Sequence, residues 1–125
     1  MKIKIIPFLK ASPSFASTWG GGQYNGYLLI PKELVKDLDL EEDIPQPHGG
    51  VTLVIKDAKR IKEFVEKSQT WWIPDNHLEH PDYSKYICVG FDTLHVGDEW
   101  NYWTFERVSE STMKWKRELE KHFNI

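Results

Sequence analysis

Cysteine is nearly absent from this chain of 125 residues, in which Cys88 is the single example. One thiol cannot form a disulfide within its own chain, so the disulfide frameworks of small secreted domains are excluded. Cys88 lies between Ile87 and Val89 in an apolar run, where we expect a small buried residue rather than a reactive thiol. The cysteine content therefore predicts a cytoplasmic protein.

Long apolar runs are missing as well. No stretch approaches the roughly 20 apolar residues that a transmembrane helix needs. The short apolar stretch near the N-terminus is interrupted by Lys4 and Pro7, and it lacks the apolar length and the cleavage site of a secretory signal. We therefore expect no membrane partner.

Neither sign of charge dominates the chain. It has 16 Lys and Arg residues against 19 Asp and Glu residues, for a net charge of -3, and the two signs are interspersed. Proteins that bind long nucleic acids neutralise a run of phosphates with clustered basic residues. The lack of a basic stripe therefore disfavours long DNA or RNA, but a short or cyclic nucleotide carries few charges and stays open as a partner.

Familiar catalytic and metal-binding signatures are absent too. The sequence has no Walker-type Gly-rich loop, no Gly-x-Ser-x-Gly elbow and no His-Glu-x-x-His pair. His77 and His80 have a His-x-x-His spacing, but prolines punctuate this stretch and Cys88 is the only thiol available to a zinc ion. We interpret the stretch as a solvated loop, and we expect neither a metal nor a cofactor.

What the sequence does contain predicts one α+β domain over residues 1–125. A hydrophobic fraction of 40% and a charged fraction of 28% are typical of a folded domain. Runs of apolar and β-branched residues predict strands in a mostly antiparallel sheet. The predicted strands cover Lys2 to Phe8, Tyr27 to Ile30, Val51 to Ile55, Tyr86 to Phe91 and Trp100 to Phe105. The segment from Ser68 to Ser84 is predicted to be irregular.

Two main helices are predicted from capping residues and apolar spacing. Asp57 is a good N-cap for a helix that runs to about Lys67. Ser109 is the predicted N-cap of a final helix. Trp115, Leu119 and Phe123 share one face of this helix at a spacing of four residues. A further short helix is predicted after Pro31.

Tryptophan is abundant, with six residues in the chain. Five of them fall in or beside predicted loops and strand ends: Trp19, Trp71, Trp72, Trp100 and Trp103. Each one is readily explained as part of a core or a subunit interface, but so many aromatic side chains beside polar loops favour a pocket that stacks a flat ligand. Tyr27 and Trp72 are the aromatic residues that we assign to such a pocket.

Polar side chains cluster directly after the strand that ends at Phe91. Asp92 and Asp98 flank His95, and an Asp beside a His orients the imidazole and raises its basicity, as general-base catalysis requires. The same three side chains could hold a metal ion or accept hydrogen bonds from a ribose. They could equally cap a turn, with His95 as a satisfied, partly buried side chain.

A second polar element is His48-Gly49-Gly50, directly before the predicted strand at Val51. Two successive glycines allow backbone N–H groups to face an anion, as in phosphate-binding nests. An ordinary turn that opens the strand explains the same residues. We expect His48, Gly49 and Gly50 to meet Asp92 and the loop after it in one concavity.

Three elements in a fixed order resemble a set of small uncharacterised phage and prophage proteins. They are Asn25-Gly26-Tyr27 followed by Ile30-Pro31, then His48-Gly49-Gly50-Val51-Thr52, then Gly90-Phe91-Asp92-Thr93-Leu94-His95-Val96-Gly97-Asp98. The resemblance implies a phage-encoded accessory protein that acts in the host cytosol. Several such small proteins counter bacterial immunity by capturing or destroying nucleotide second messengers, and this context applies here by analogy.

Three functions are consistent with these observations. The first is a protein that sequesters a nucleotide-derived immune signal, such as a cyclic ADP-ribose isomer or a cyclic oligonucleotide, as a homo-oligomer that shares pockets between subunits. The second is a hydrolase of such a molecule, with His48 and His95 as acid and base and Asp92 as the residue that orients them. The third is a module that binds a host protein through exposed aromatic residues. We prefer sequestration because no recognisable nucleophile accompanies the histidines.

Overall fold

The structure is a computed structural model that describes residues 4–12, 22–73, 81–93 and 101–125. Within this part of the chain, five strands form one antiparallel sheet: β1 (Ile6–Ala11), β2 (Tyr24–Pro31), β3 (Leu53–Ile55), β4 (Trp71–Trp72) and β5 (Tyr86–Phe91). Two helices accompany the sheet, α1 (Ala58–Glu66) and α2 (Phe105–Phe123), together with two 3₁₀ turns, Lys32–Leu34 and Tyr83–Lys85. The α+β fold predicted from the sequence is confirmed.

The strands lie in the order β3-β5-β2-β1-β4. β2 is the central strand and pairs with both β1 and β5, so that Leu28 faces Pro7 on one side and Val89 on the other. Helices cover both faces of the sheet, which explains why β2 is a nearly continuous apolar run rather than an alternating one. All strand pairs are antiparallel.

Each face of the sheet has its own hydrophobic core, because successive strand residues point to opposite sides. One core lies under α2 and contains Leu9, Leu28, Val89 and Trp115. We call this side of the sheet the α2 face. The other core lies under α1 and contains Phe8, Leu29, Cys88, Ile61 and Val65. We call this side the α1 face.

Helix α1 has the start that the sequence predicts. The Asp57 carboxylate accepts a hydrogen bond from the Arg60 amide at 3.0 Å, which satisfies one of the free N–H groups of the first turn. Ile61 and Val65 are the buried residues of this helix. No helix in the described ranges is long and apolar enough to cross a membrane.

Helix α2 begins earlier than the sequence predicts. Thr104 is its N-cap and accepts from the Arg107 amide, whereas the predicted cap, Ser109, lies inside the helix. The predicted strand from Trp100 to Phe105 is wrong for its described residues, because 101–104 form a turn and Phe105 opens the helix. The aromatic residues there alternate like a strand. The buried residues of the helix, by contrast, have the spacing of one helix face: Val108, Thr112, Trp115 and Leu119.

Strand β1 lies further along the chain than predicted, at Ile6–Ala11 instead of Lys2 to Phe8. This placement buries the Lys10 side chain on the α1 face. A lysine is not expected at a buried position from the sequence alone. The Lys10 ammonium donates to the Val65 carbonyl at 3.0 Å, the Ser68 carbonyl at 2.9 Å and the Thr70 hydroxyl at 3.0 Å. Burial lowers the pKa of Lys10, against a smaller opposing effect of Cys88. The lysine therefore satisfies carbonyl groups at the C-terminal end of α1.

Strand β4 was not predicted, since it lies in the segment from Ser68 to Ser84 that looks irregular. Trp71 and Trp72 pair with Leu9 and Phe8 at the edge of the sheet. A two-residue strand is too short to show a period of its own, so tertiary pairing decides its conformation.

Candidate functional site

Several chain segments converge at the end of the sheet where β2 begins and β5 ends. The Gly22 amide donates to the Thr93 carbonyl at 2.7 Å, and the Gln23 amide donates to the Trp103 carbonyl at 2.9 Å. The Ser12 amide donates to the Gln23 carbonyl at 2.9 Å. We call this region the sheet end. Backbone hydrogen bonds thus connect the residues before β2, after β5 and before α2.

Thr93 is hydrogen-bonded at the sheet end through both its amide and its side chain. Its amide donates to the Asn25 side-chain oxygen at 3.0 Å. Its hydroxyl lies 2.9 Å from the Tyr24 carbonyl and 3.2 Å from the same Asn25 oxygen. Asn25 and Thr93 are both buried, so these bonds replace lost contacts with water. Asn25 belongs to the first of the three ordered sequence elements described above, and Thr93 belongs to the third. A hydrogen-bond network therefore joins these two elements.

His48 reaches the sheet end from a loop that is fixed from several directions. The Trp115 indole N–H donates to the Pro45 carbonyl at 2.9 Å, and the Gln46 amide group donates to the Leu40 carbonyl at 2.8 Å. On the other side of His48, the Thr52 amide donates to the Gly90 carbonyl at 2.9 Å. The loop is thereby attached to both α2 and β5, and His48 within it is half-buried.

The glycines after His48 lie in a turn that is closed by hydrogen bonds from the amides of Gly50 and Val51. Gly49 and Gly50 have φ values of 70° and 83°, which L-residues with side chains rarely adopt. The Gly50 amide donates to the Pro47 carbonyl at 2.9 Å, and the Val51 amide donates to the Gln46 side-chain oxygen at 3.2 Å. The turn itself therefore accounts for both glycines, and the amide of Gly50, one of the two glycines expected to face a phosphate, is already bonded within the protein.

The aromatic residues that the sequence assigns to the site lie elsewhere. Tyr27 and Trp72 are both buried on the α1 face, where their ring centroids lie 5.3 Å and 5.2 Å from that of Phe8. Burial raises the pKa of Tyr27 to about 12, against the opposing effect of a hydrogen bond with Asn25. Cys88, when ionised, and Asp92 add smaller effects that also raise the pKa. The structure therefore places Tyr27 and Trp72 in the core.

His48 has its aromatic contacts on the opposite side of the sheet. Its ring centroid lies 4.3 Å from that of Trp103 and 6.3 Å from that of Phe91, a residue of the α2-face core. The half-buried Asp92 follows Phe91 directly, so the structure brings His48 and the end of β5 to the same sheet end. The other predicted site residues, His95 and Asp98, lie outside the described residues, as do His77 and His80.

Next to His48, Trp103 begins a row of side chains that continues towards solvent. The Tyr102 ring lies 5.2 Å from the Trp103 ring, nearly perpendicular to it, and half of Tyr102 is exposed. The guanidinium of Arg107 lies 4.3 Å from the Tyr102 ring centroid. We call His48, Trp103, Tyr102 and Arg107 the aromatic row.

Sequence reasoning identified His48 and noted Trp103, but it missed Tyr102 and Arg107. In the predicted strand, Tyr102 and Trp103 would point to opposite sides. In the observed turn before α2 their rings are in contact, and Arg107 lies within the first turn of the helix. Recognising Thr104 as the cap, three residues before Arg107, is the sequence signal that would have revealed this arrangement.

The chemistry of the row is that of recognition. Flat rings offer stacking surfaces, and the guanidinium offers a charge with several donors. Among the residues that the structure describes, no group of three or more His, Cys, Asp or Glu side chains is placed to hold a metal ion.

A separate groove of about 590 Å³ lies beside α1 and the 3₁₀ turn at Tyr83–Lys85. Its lining includes the charged residues Lys59, Lys62, Glu66 and Asp82. This groove is open and contains none of the residues predicted for the site. We therefore take the aromatic row, and not the groove, as the candidate functional site.

No protein-family model, no curated protein and no solved structure matches this chain.

Proposed function

We propose that the protein binds a nucleotide-derived small molecule at the aromatic row and sequesters it without chemical change. In this proposal the protein is a phage-encoded accessory protein of the host cytosol, and its ligand is an immune signal such as a cyclic ADP-ribose isomer or a cyclic oligonucleotide. The observation that supports the proposal is the contact between the rings of His48 and Trp103, 4.3 Å apart at the sheet end.

Stacking is the physical basis of the proposal. A base that stacks on an aromatic side chain gains about 1–3 kcal/mol, with little dependence on which base it is. His48 and Trp103 are only half-buried, and Tyr102 is half exposed, so ring surface of the row is open to solvent. The hydrogen bonds of Trp115, Gln46 and Thr52 fix the loop around His48 before a ligand arrives, which reduces the entropy that binding costs.

Calorimetric titration tests the proposal with a panel of cyclic oligonucleotides, cyclic ADP-ribose isomers and linear nucleotides. We expect at least one of them to bind to the wild type. His48→Ala should weaken that binding by about 1–3 kcal/mol. His122→Ala is a matched control, because His122 also contacts a ring, that of Phe123 at 5.0 Å, but near the far end of α2. Equal losses in both variants, or no binding in the panel, would overturn the proposal.

Recovery of the ligand separates capture from hydrolysis. The protein is incubated with a bound nucleotide, heat-denatured, and the solution is analysed by mass spectrometry. Sequestration predicts intact ligand in stoichiometric amount, because binding leaves its covalent bonds untouched. Product in molar excess over protein would instead contradict sequestration and favour the alternative, a hydrolase with His48, His95 and Asp92. The oligomeric state, which we propose to be a homo-oligomer, is measured by light scattering on the native protein before it is denatured.

A further inference from the structure

Arg107 is an exposed residue whose position is nevertheless defined by a contact. Its guanidinium lies 4.3 Å from the centroid of the Tyr102 ring, a cation–π distance. A guanidinium that stacks in parallel on a ring uses its flat face for the contact. The N–H donors lie in the guanidinium plane and stay available for a second partner.

No carboxylate neutralises this guanidinium within the described part of the chain. Glu106 and Glu110 are its nearest acidic neighbours in sequence, yet the ion pair described on α2 joins Lys116 to Glu120 instead. An arginine that is held against a ring, and that has no carboxylate partner among the described residues, is suited to recognise a phosphate, since its fork of donors matches two phosphate oxygens.

We propose that Arg107 binds a phosphate group of the ligand while the neighbouring rings bind its base. This inference rests on the proposed function and narrows the ligand class to phosphorylated molecules, so that a nucleotide is bound and the corresponding nucleoside is bound more weakly. Tyr102 lies between Trp103 and Arg107, with its ring 5.2 Å from that of Trp103. The row thus separates a stacking position from a charged position, as the sugar of a nucleotide separates its base from its phosphate.

The first turn of α2 also favours an anion near Arg107. Free N–H groups at the start of a helix carry a partial positive charge, although the charge of Glu106 in the same turn opposes it. The Thr104 side chain is occupied in capping the Arg107 amide. The guanidinium is therefore the group that decides the preference for phosphate.

The test compares nucleosides with their 5′-monophosphates by calorimetric titration, using adenosine with AMP and guanosine with GMP. The wild type should bind a monophosphate about tenfold more tightly than its nucleoside. Arg107→Gln should abolish that preference and leave the affinity for the nucleoside unchanged. Added salt should weaken the preference in the wild type only, because an exposed charge pair is screened.

Arg117→Gln provides the matched control, since Arg117 is an exposed arginine of the same helix. It should keep the full preference for the monophosphate. Arg107→Lys should keep only part of it, because a lysine retains the charge but loses the flat fork of donors. Circular dichroism checks that each variant is folded.

Three results would overturn the inference, and they are distinguishable. A wild type that binds nucleoside and monophosphate equally, or an Arg107→Gln variant that keeps the preference, would refute the role of Arg107 and leave the proposed function standing. A wild type that binds neither these probes nor any cyclic nucleotide would refute both proposals.

Discussion

The ring of Tyr27 lies directly over Gly90, its partner in the register of β2 and β5. A Cβ at residue 90 would overlap the Tyr27 ring. The next pair in the register repeats the arrangement on the other face, where Phe91 lies over Gly26. Each glycine therefore makes room for an aromatic ring on the neighbouring strand, and the elements Asn25-Gly26-Tyr27 and Gly90-Phe91-Asp92 are complementary in packing.

Gly90→Ala should destabilise the protein by about 1–3 kcal/mol, because the added methyl group overpacks a full core. Tyr27→Leu in the same chain should relieve part of this cost, so that the double variant loses less than the sum of the two single variants. Urea unfolding of all four proteins measures the coupling. Strict additivity would contradict the packing relationship between these two residues.

Asn25→Ala should cost about 1–3 kcal/mol of unfolding free energy, since it leaves the buried amide and hydroxyl of Thr93 without the Asn25 oxygen. Urea denaturation gives the loss. Ser84→Ala is a suitable control, because its hydroxyl also bonds a neighbouring side chain, that of Asp82, but in an exposed turn. A loss no larger than that of the control would show that the network at the sheet end contributes little.

Much of the fold is accessible to sequence reasoning because local signals agree with tertiary packing. Asp57 caps α1 as predicted, and Tyr86–Phe91 is a strand over its full predicted length. The predictions that are wrong concern residues whose structure depends on tertiary contacts. Lys10 is buried because carbonyl groups at the end of α1 accept hydrogen bonds from its ammonium group. No local sequence pattern predicts these hydrogen bonds.

The candidate site was predicted less completely than the fold. His48 was identified from its glycines, and the turn explains those glycines without a ligand. Tyr27 was assigned to a pocket, but its ring fills the core over Gly90. The prediction does not include Tyr102 and Arg107, because their contact depends on where α2 begins, and the helix begins after Thr104 instead of after the predicted cap, Ser109.

Cys88 makes stability depend on pH in the alkaline range. Burial raises the pKa of its thiol from 9.0 to about 12, so the folded state holds a proton that the unfolded state releases above pH 9. The resulting contribution to stability is complete below pH 9 and declines as the pH rises towards 12, by at most about 1.4 kcal/mol per pH unit.

Cys88→Ala should therefore show a shallower loss of stability between pH 9 and 11 than the wild type, as measured by urea unfolding at several pH values. Tyr83, whose pKa is also raised to about 12, contributes the same slope in both proteins, because its pKa is raised by burial and by Glu66 and not by Cys88. The pKa of Tyr27 is raised mainly by burial, so its contribution loses only the smaller effect of Cys88 in the variant. Cys88→Ala should also leave ligand binding unchanged. Identical slopes, or a folded variant that no longer binds, would contradict the assignment of Cys88 to the core.

The central claim is that a nucleotide binds at the aromatic row, and the most direct measurement is an NMR titration of the wild-type protein. A cyclic dinucleotide and a cyclic ADP-ribose isomer are added separately while the signals of the Trp103 indole, the His48 ring and the Arg107 side chain are followed. Our account predicts saturable shifts concentrated on these groups and on Tyr102, with little change at Trp72 or in the groove lined by Lys59 and Lys62. Shifts confined to that groove, or no saturable shift with either ligand, would contradict it.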